Sequence, residues 1–105
     1  MTLHMLKTDP DVFDLVMSGE KTFEIRLNDR NYQAGDALCL RRTRYTGEEM
    51  SAGAPLEYTG SFWTVRATHV LHGPIYGLAD GWCIISIGID IVANPNSTEC
   101  LPNDY

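Results

Sequence analysis

The sequence predicts an α+β domain: a small, mostly antiparallel β-barrel with a capping N-terminal helix. Two observations carry this. One amphipathic helical segment lies near the start, and about five β-patterned segments follow it with no second helical period between them. Strands that are not separated by helices pair largely antiparallel, and at 105 residues one sheet curled on itself is the economical way to build a single core.

Each element has its own local reason. Leu3 to Lys7 alternates, with Leu3 and Met5 on one face and His4 and Leu6 on the other. Asp9 is a good N-cap, Pro10 suits the first helical position, and Asp11 places negative charge in the first turn, where the helix dipole favours it. Val12, Phe13, Leu15, Val16 and Met17 form an apolar stripe, and Gly19 supplies the left-handed stop, so the helix is predicted over Pro10–Ser18. Lys21 to Leu27 alternates again. Phe23, Ile25 and Leu27 point one way, and Thr22, Glu24 and Arg26 the other. A polar connection, Asn28 to Gly35, leads to a strand over Ala37–Arg42. Residues 43–59 read as a long hairpin excursion rich in Gly, Glu, Thr and Pro. Phe62 to Leu71 is a further strand, Gly73 to Gly81 a glycine-spaced loop, and Trp82 to Val92 the last strand. The domain is therefore expected over residues 1–92, with a flexible tail over 93–105 that has no apolar period.

Composition narrows the function. Hydrophobic residues make up 44% and charged residues 21%, which excludes wholesale disorder. No apolar run is long enough to span a bilayer and no signal peptide is visible, so the expected location is cytoplasmic with no membrane partner. Net charge is -6. Residues 1–44 balance seven basic against seven acidic side chains, whereas residues 45–105 hold only Arg66 against seven acids. Nucleic-acid contact, if made, must be confined to a small site in the first half. Cys39, Cys83 and Cys100 lack metal-ligand spacing and read as two buried strand thiols and one tail thiol. No metal and no cofactor is expected.

The chemistry-bearing residues crowd between Gly19 and Asp36. Lys21, Glu24, Arg26, Asn28, Asp29 and Arg30 bring together two guanidinium forks, an ammonium, two carboxylates and an amide. Arginine offers planar bidentate donors to phosphates and base edges. The plain alternative is that Glu24 pairs with Lys21 or Arg26 on a solvated strand face.

Gly19-Glu20-Lys21-Thr22-Phe23-Glu24-Ile25-Arg26 resembles the G-x-K-x-x-E-x-R signature of ASCH domains, relatives of the PUA fold. His4-Met5-Leu6-Lys7, Pro10 with Phe13, the run FEIRLNDRNYQAGDALCL, Tyr58-Thr59-Gly60, THVLHG and GLADGWCIISI extend the likeness over Leu3 to Ile89. It is most similar to a phage and bacterial branch known as a domain of unknown function, thirty-eight fifty. The resemblance implies a PUA-like barrel whose cleft faces RNA or a modified nucleoside, with Lys21, Glu24 and Arg26 lining it and Asn28, Asp29 and Arg30 at its rim. His4 and Lys7 on the first strand are further binding candidates. It also implies an enzyme alternative, a nucleobase amidohydrolase or ribonuclease with Lys21 and Glu24 as catalytic residues. Relatives that hydrolyse N4-acetylcytidine carry a threonine where this chain has Glu24. A third reading is a phage-type acidic inhibitor that binds a host protein. Phe62, Trp63, Tyr58, Tyr76 and Trp82 supply aromatic faces for base stacking, or barrel core.

Overall fold

The computed structural model describes residues 1–93, and side chains as far as residue 88. The chain runs β1 (Leu3–Thr8), α1 (Pro10–Met17), β2 (Phe23–Leu27), β3 (Ala37–Thr43), α2 (Gly47–Ser51), β4 (Tyr58–His72) and β5 (Trp82–Ala93). The five strands form one curled, half-barrel sheet in the order β1-β3-β4-β5-β2. Three of its four pairings are antiparallel; β1 and β3 run parallel because α1 and β2 intervene between them. No helix among the described residues is long and apolar enough to cross a membrane.

The curl comes from β4. Its first half pairs with β3 and its second half with β5, and register shifts at Thr64/Arg66 and Ala67/His69 bend it between the two. Leu6, Leu38, Leu40, Val65, Ala67 and Ile85 fill the concave side, and Phe13 and Val16 of α1 close it. The helix is thus a lid on the core, but only through part of its expected stripe: Phe13 and Val16 are buried, whereas Leu15 and Met17 stand exposed. Its stop at Gly19 (φ 81°) is also as expected, with the amide of Gly19 donating to the Val16 carbonyl and that of Lys21 to the Leu15 carbonyl.

Three readings change. The 43–59 excursion contains α2, whose N-cap Thr46 and Glu49 form a reciprocal capping box. Cys39 and Cys83 are both buried, but Cys39 is disulfide-bonded and not the thiol the sequence suggests; Cys83 is free, and burial, together with the nearby Asp29 charge, raises its thiol pKa. The last strand takes in Ala93, and the expected flexible tail beyond it lies outside the described residues.

The orientation of β2 matters most. Its parity is as the alternation predicts, but the polar face turns inward. Glu24 is buried and Arg26 half-buried, while Phe23, Ile25 and Leu27 stand 40%, 50% and 49% exposed. β2 is an edge strand, so its inner face looks onto the gap left where the barrel does not close.

Candidate functional site

β1 and β2 are the two ends of the sheet, and they are not hydrogen-bonded to each other. The gap between them is a cleft of 580 Å³. Lys7, Lys21, Glu24, Arg26, Asp29 and Arg30 line it, with Tyr32, Phe23 and Trp82 as its aromatic contributors.

Glu24 organises the charged side. It is 3% exposed, and both carboxylate oxygens are engaged. Oε2 accepts from Lys21 Nζ at 2.9 Å, and Oε1 accepts from Arg26 Nε at 3.2 Å and Nη2 at 3.0 Å. Lys21 reaches this point because the bonded turn after α1 brings it back beside β2, where it also donates to the Phe23 carbonyl and lies 4.6 Å over the Phe23 ring. Glu24 therefore neither sits on a solvated face nor chooses between Lys21 and Arg26: it is buried and holds both.

The two arginines also bridge the gap. Arg26 Nη2 donates to the Lys7 carbonyl at 3.0 Å, and Arg30 Nη1 donates to the Met5 carbonyl at 2.8 Å. Both carbonyls are on β1, so guanidinium groups occupy the place of a missing neighbouring strand. Arg26 Nη1, Arg30 Nη2 and the Lys7 ammonium make no hydrogen bond among the described residues.

Two expected site residues lie elsewhere. His4 does not face the cleft. It is buried on the core side of β1, with Nε2 2.9 Å from Asp36 Oδ2 and its ring edge-on to Tyr32 at 4.7 Å. Asn28 is a loop brace: its Oδ1 accepts from the Tyr32 amide at 3.1 Å and its Nδ2 lies 3.3 Å from His72 Nδ1. Of the five aromatic candidates for stacking, Trp82 alone lines the cleft. Trp63 packs against the core, Tyr58 lies beneath Arg41, and Tyr76 is 94% exposed.

Sequence reasoning missed Tyr32. Its ring is 1% exposed, yet it lines the cleft floor. Burial raises its pKa above that of an ordinary phenol, against the opposing pull of Arg26 and Arg30. It is therefore a neutral hydroxyl at working pH. The signal was its place in the NDRNY run, two residues after Arg30. Asp36, which supports it through His4, was also missed. Burial raises the Asp36 carboxyl pKa, but hydrogen bonds from His4 and from the Gln33 and Thr2 amides outweigh burial and hold it below the ordinary value.

Residues 3–87 match the family model described as "Domain of unknown function (DUF3850)". The chain belongs to the DUF3850 family. Over 53 residues it is also 40% identical to the "Uncharacterized 12.9 kDa protein in GpA 3'region" of Escherichia phage P2, a stretch covering 48% of this chain and 49% of that one. The chain thus spans about half the length of that curated relative. The DUF3850 match takes in β1, α1, β2 and the loops that follow each of them, and hence every charged group of the cleft.

Proposed function

We propose that this DUF3850 chain is an ASCH-like, PUA-related recognition domain that binds RNA or a modified nucleotide in the cleft between β1 and β2. One observation carries the reading. A buried carboxylate fixes an ammonium and a guanidinium along one wall of a 580 Å³ cleft, in a chain of net charge -6. Four cationic side chains face three carboxylates there (Asp9, Glu24 and Asp29), so the cleft is a local exception to an acidic molecule. Its volume suits a drug- or nucleotide-sized ligand, and Trp82 supplies a face for a base.

The same geometry favours binding over hydrolysis. A general base must reach the proton it removes, and Glu24 is 3% exposed with three of its roughly four lone-pair sites already taken by charge-assisted bonds. Thr22 is exposed outside the cleft and offers no replacement nucleophile.

The test is titration of the full chain with the four nucleoside 5′-monophosphates and short single-stranded RNA, together with an assay for N4-acetylcytidine turnover. Saturable binding without turnover is expected, weakened by roughly 1.5–3 kcal/mol in Arg26→Lys, which keeps the charge and loses the fork. Binding indifferent to Arg26→Lys would remove this cleft as the site. Turnover would replace the recognition reading with the hydrolase one.

A further inference from the structure

The geometry points to an oxyanion subsite at the cleft floor, formed by Arg26, Arg30 and the Tyr32 hydroxyl, that takes the phosphate of the ligand. It deepens the nucleotide reading and rests on it for the rest of the ligand.

The first observation is the way the two guanidinium groups are held. Arg30 is fixed on the Met5 carbonyl and Arg26 on the Lys7 carbonyl, two residues apart along one edge of β1. Carbonyls at that spacing on a strand lie about 7 Å apart. The anchor points of the two guanidinium groups are thus separated by roughly the width of a tetrahedral oxyanion with a charge-assisted bond of about 2.8 Å on either side. Each arginine keeps an Nη group with no bond among the described residues, so donors remain after the fork has been immobilised. Backbone carbonyls and Glu24 have already ordered these side chains, so a ligand need not do so.

The second observation is independent of the arginines. Tyr32 is 99% buried and lines the same cleft, and its hydroxyl makes no hydrogen bond among the described residues. No fully buried side-chain oxygen among them lacks a partner, so this hydroxyl keeps a sliver of accessible surface, in a residue that lines the cleft and within electrostatic reach of Arg26 and Arg30. A neutral donor left unpartnered at the floor of a cationic cleft matches an oxyanion. The carboxylates do not cancel it: Glu24 is paired with two cations, Asp9 accepts from the Gly47 amide, and Asp29 lines the cleft as an exposed residue. Asp29 opposes an anion and should moderate its affinity.

The experiment titrates the full chain with inorganic phosphate, ribose 5-phosphate, a nucleoside, its 5′-monophosphate and a dinucleotide, followed by amide and tyrosine-ring NMR shifts. The monophosphate should bind about tenfold tighter than the nucleoside, and phosphate alone should shift Tyr32. Tyr32→Phe, which keeps the packed ring, should remove most of that tenfold gain, as should Arg30→Lys, while Asp29→Asn should enlarge it. If Arg30→Lys disturbs the fold, Tyr32→Phe decides. Equal affinity for nucleoside and monophosphate would overturn the subsite and leave nucleotide recognition standing. Equal affinity for ribose 5-phosphate and every monophosphate would keep the subsite and overturn base recognition. A stronger dinucleotide would place an internal phosphodiester there, and a stronger monophosphate a terminal phosphate. No binding by any probe would overturn both.

Discussion

Glu24 shows how one residue can join stability to recognition. Its carboxylate is buried, yet three charge-assisted bonds from two cations satisfy it. Removing one partner of such a cluster leaves charge facing a neutral group in a poorly hydrated place. Glu24→Gln is therefore expected to destabilise the domain by about 1–3 kcal/mol, less than a fully buried pair would cost because Lys21 and Arg26 are partly solvated. It should also release the Arg26 fork. Urea denaturation reads the first effect and ligand titration the second; a stable variant with parental binding would contradict both. Asp36 gives a pH prediction. Its folded-state pKa lies below the ordinary 3.8, so between the two values the unfolded chain binds more protons. The stabilisation is present above pH 4 or so and is lost as pH falls through the folded value. Asp36→Asn should lower the melting temperature at neutral pH and flatten its decline below about pH 4. A decline parallel to the parent's would mean that other carboxylates govern acid unfolding.

At the scale of elements, legibility followed the range of the cause. The first helix was readable because Pro10, the apolar residues and Gly19 are local signals, and its range was right to one residue; Asp9 takes the N-cap position, but its side chain makes no cap bond and accepts from the Gly47 amide instead. The short second helix was equally local, through the Thr46 and Glu49 capping box, and was hidden only by the loop-like composition around it. β2 was half readable. Alternation gives two faces, but which face is inside depends on the strand lying at the sheet edge, a property set by its pairing with the distant β5. The same distance explains why Lys21, Glu24 and Arg26 could be grouped from sequence, whereas His4 with Asp36, 32 residues apart, could not. The Gly73–Gly81 loop shows a requirement that composition conceals. A Cβ on Gly73 would run into the Ala79 carbonyl oxygen, a backbone atom that cannot rotate away. Gly73→Ala is expected to destabilise by about 1–3 kcal/mol, although alanine normally suits a strand end no worse than glycine. Alanine at Gly60, which has open space around it but a φ of 96°, is the informative comparison. There the cost comes from the backbone alone, so the two variants separate steric from conformational penalties in one melting series.

For the whole molecule, the decisive question is which cations are available to a ligand. The densest basic run, Arg41, Arg42 and Arg44, looks like the natural anion contact in sequence. In the fold it is committed elsewhere. Arg42 chelates Asp14 at 3.1 and 3.2 Å, Arg44 pairs with Glu57 at 3.1 Å, and Arg41 lies 3.6 Å over the Tyr58 ring. None of the three lines the cleft, whereas Lys7, Lys21, Arg26 and Arg30 do. The remaining surface is acidic enough to repel a polyanion beyond that site. Replacing Arg41, Arg42 and Arg44 together by glutamine should therefore alter mainly the association rate and its salt dependence, and Arg26→Lys mainly the dissociation rate. For single-stranded RNA, the plot of log affinity against log salt should be shallow, reflecting roughly two or three phosphate contacts and not the six to ten of a strong duplex binder. The physical reason is that counterions are released only where phosphates meet uncommitted cations, and the cleft holds few of them. If the triple variant lost binding while Arg26→Lys kept it, or if the salt dependence were steep, the ligand would have to lie along a diffuse basic surface, and the gap between β1 and β2 would be only an unclosed seam stapled by arginines.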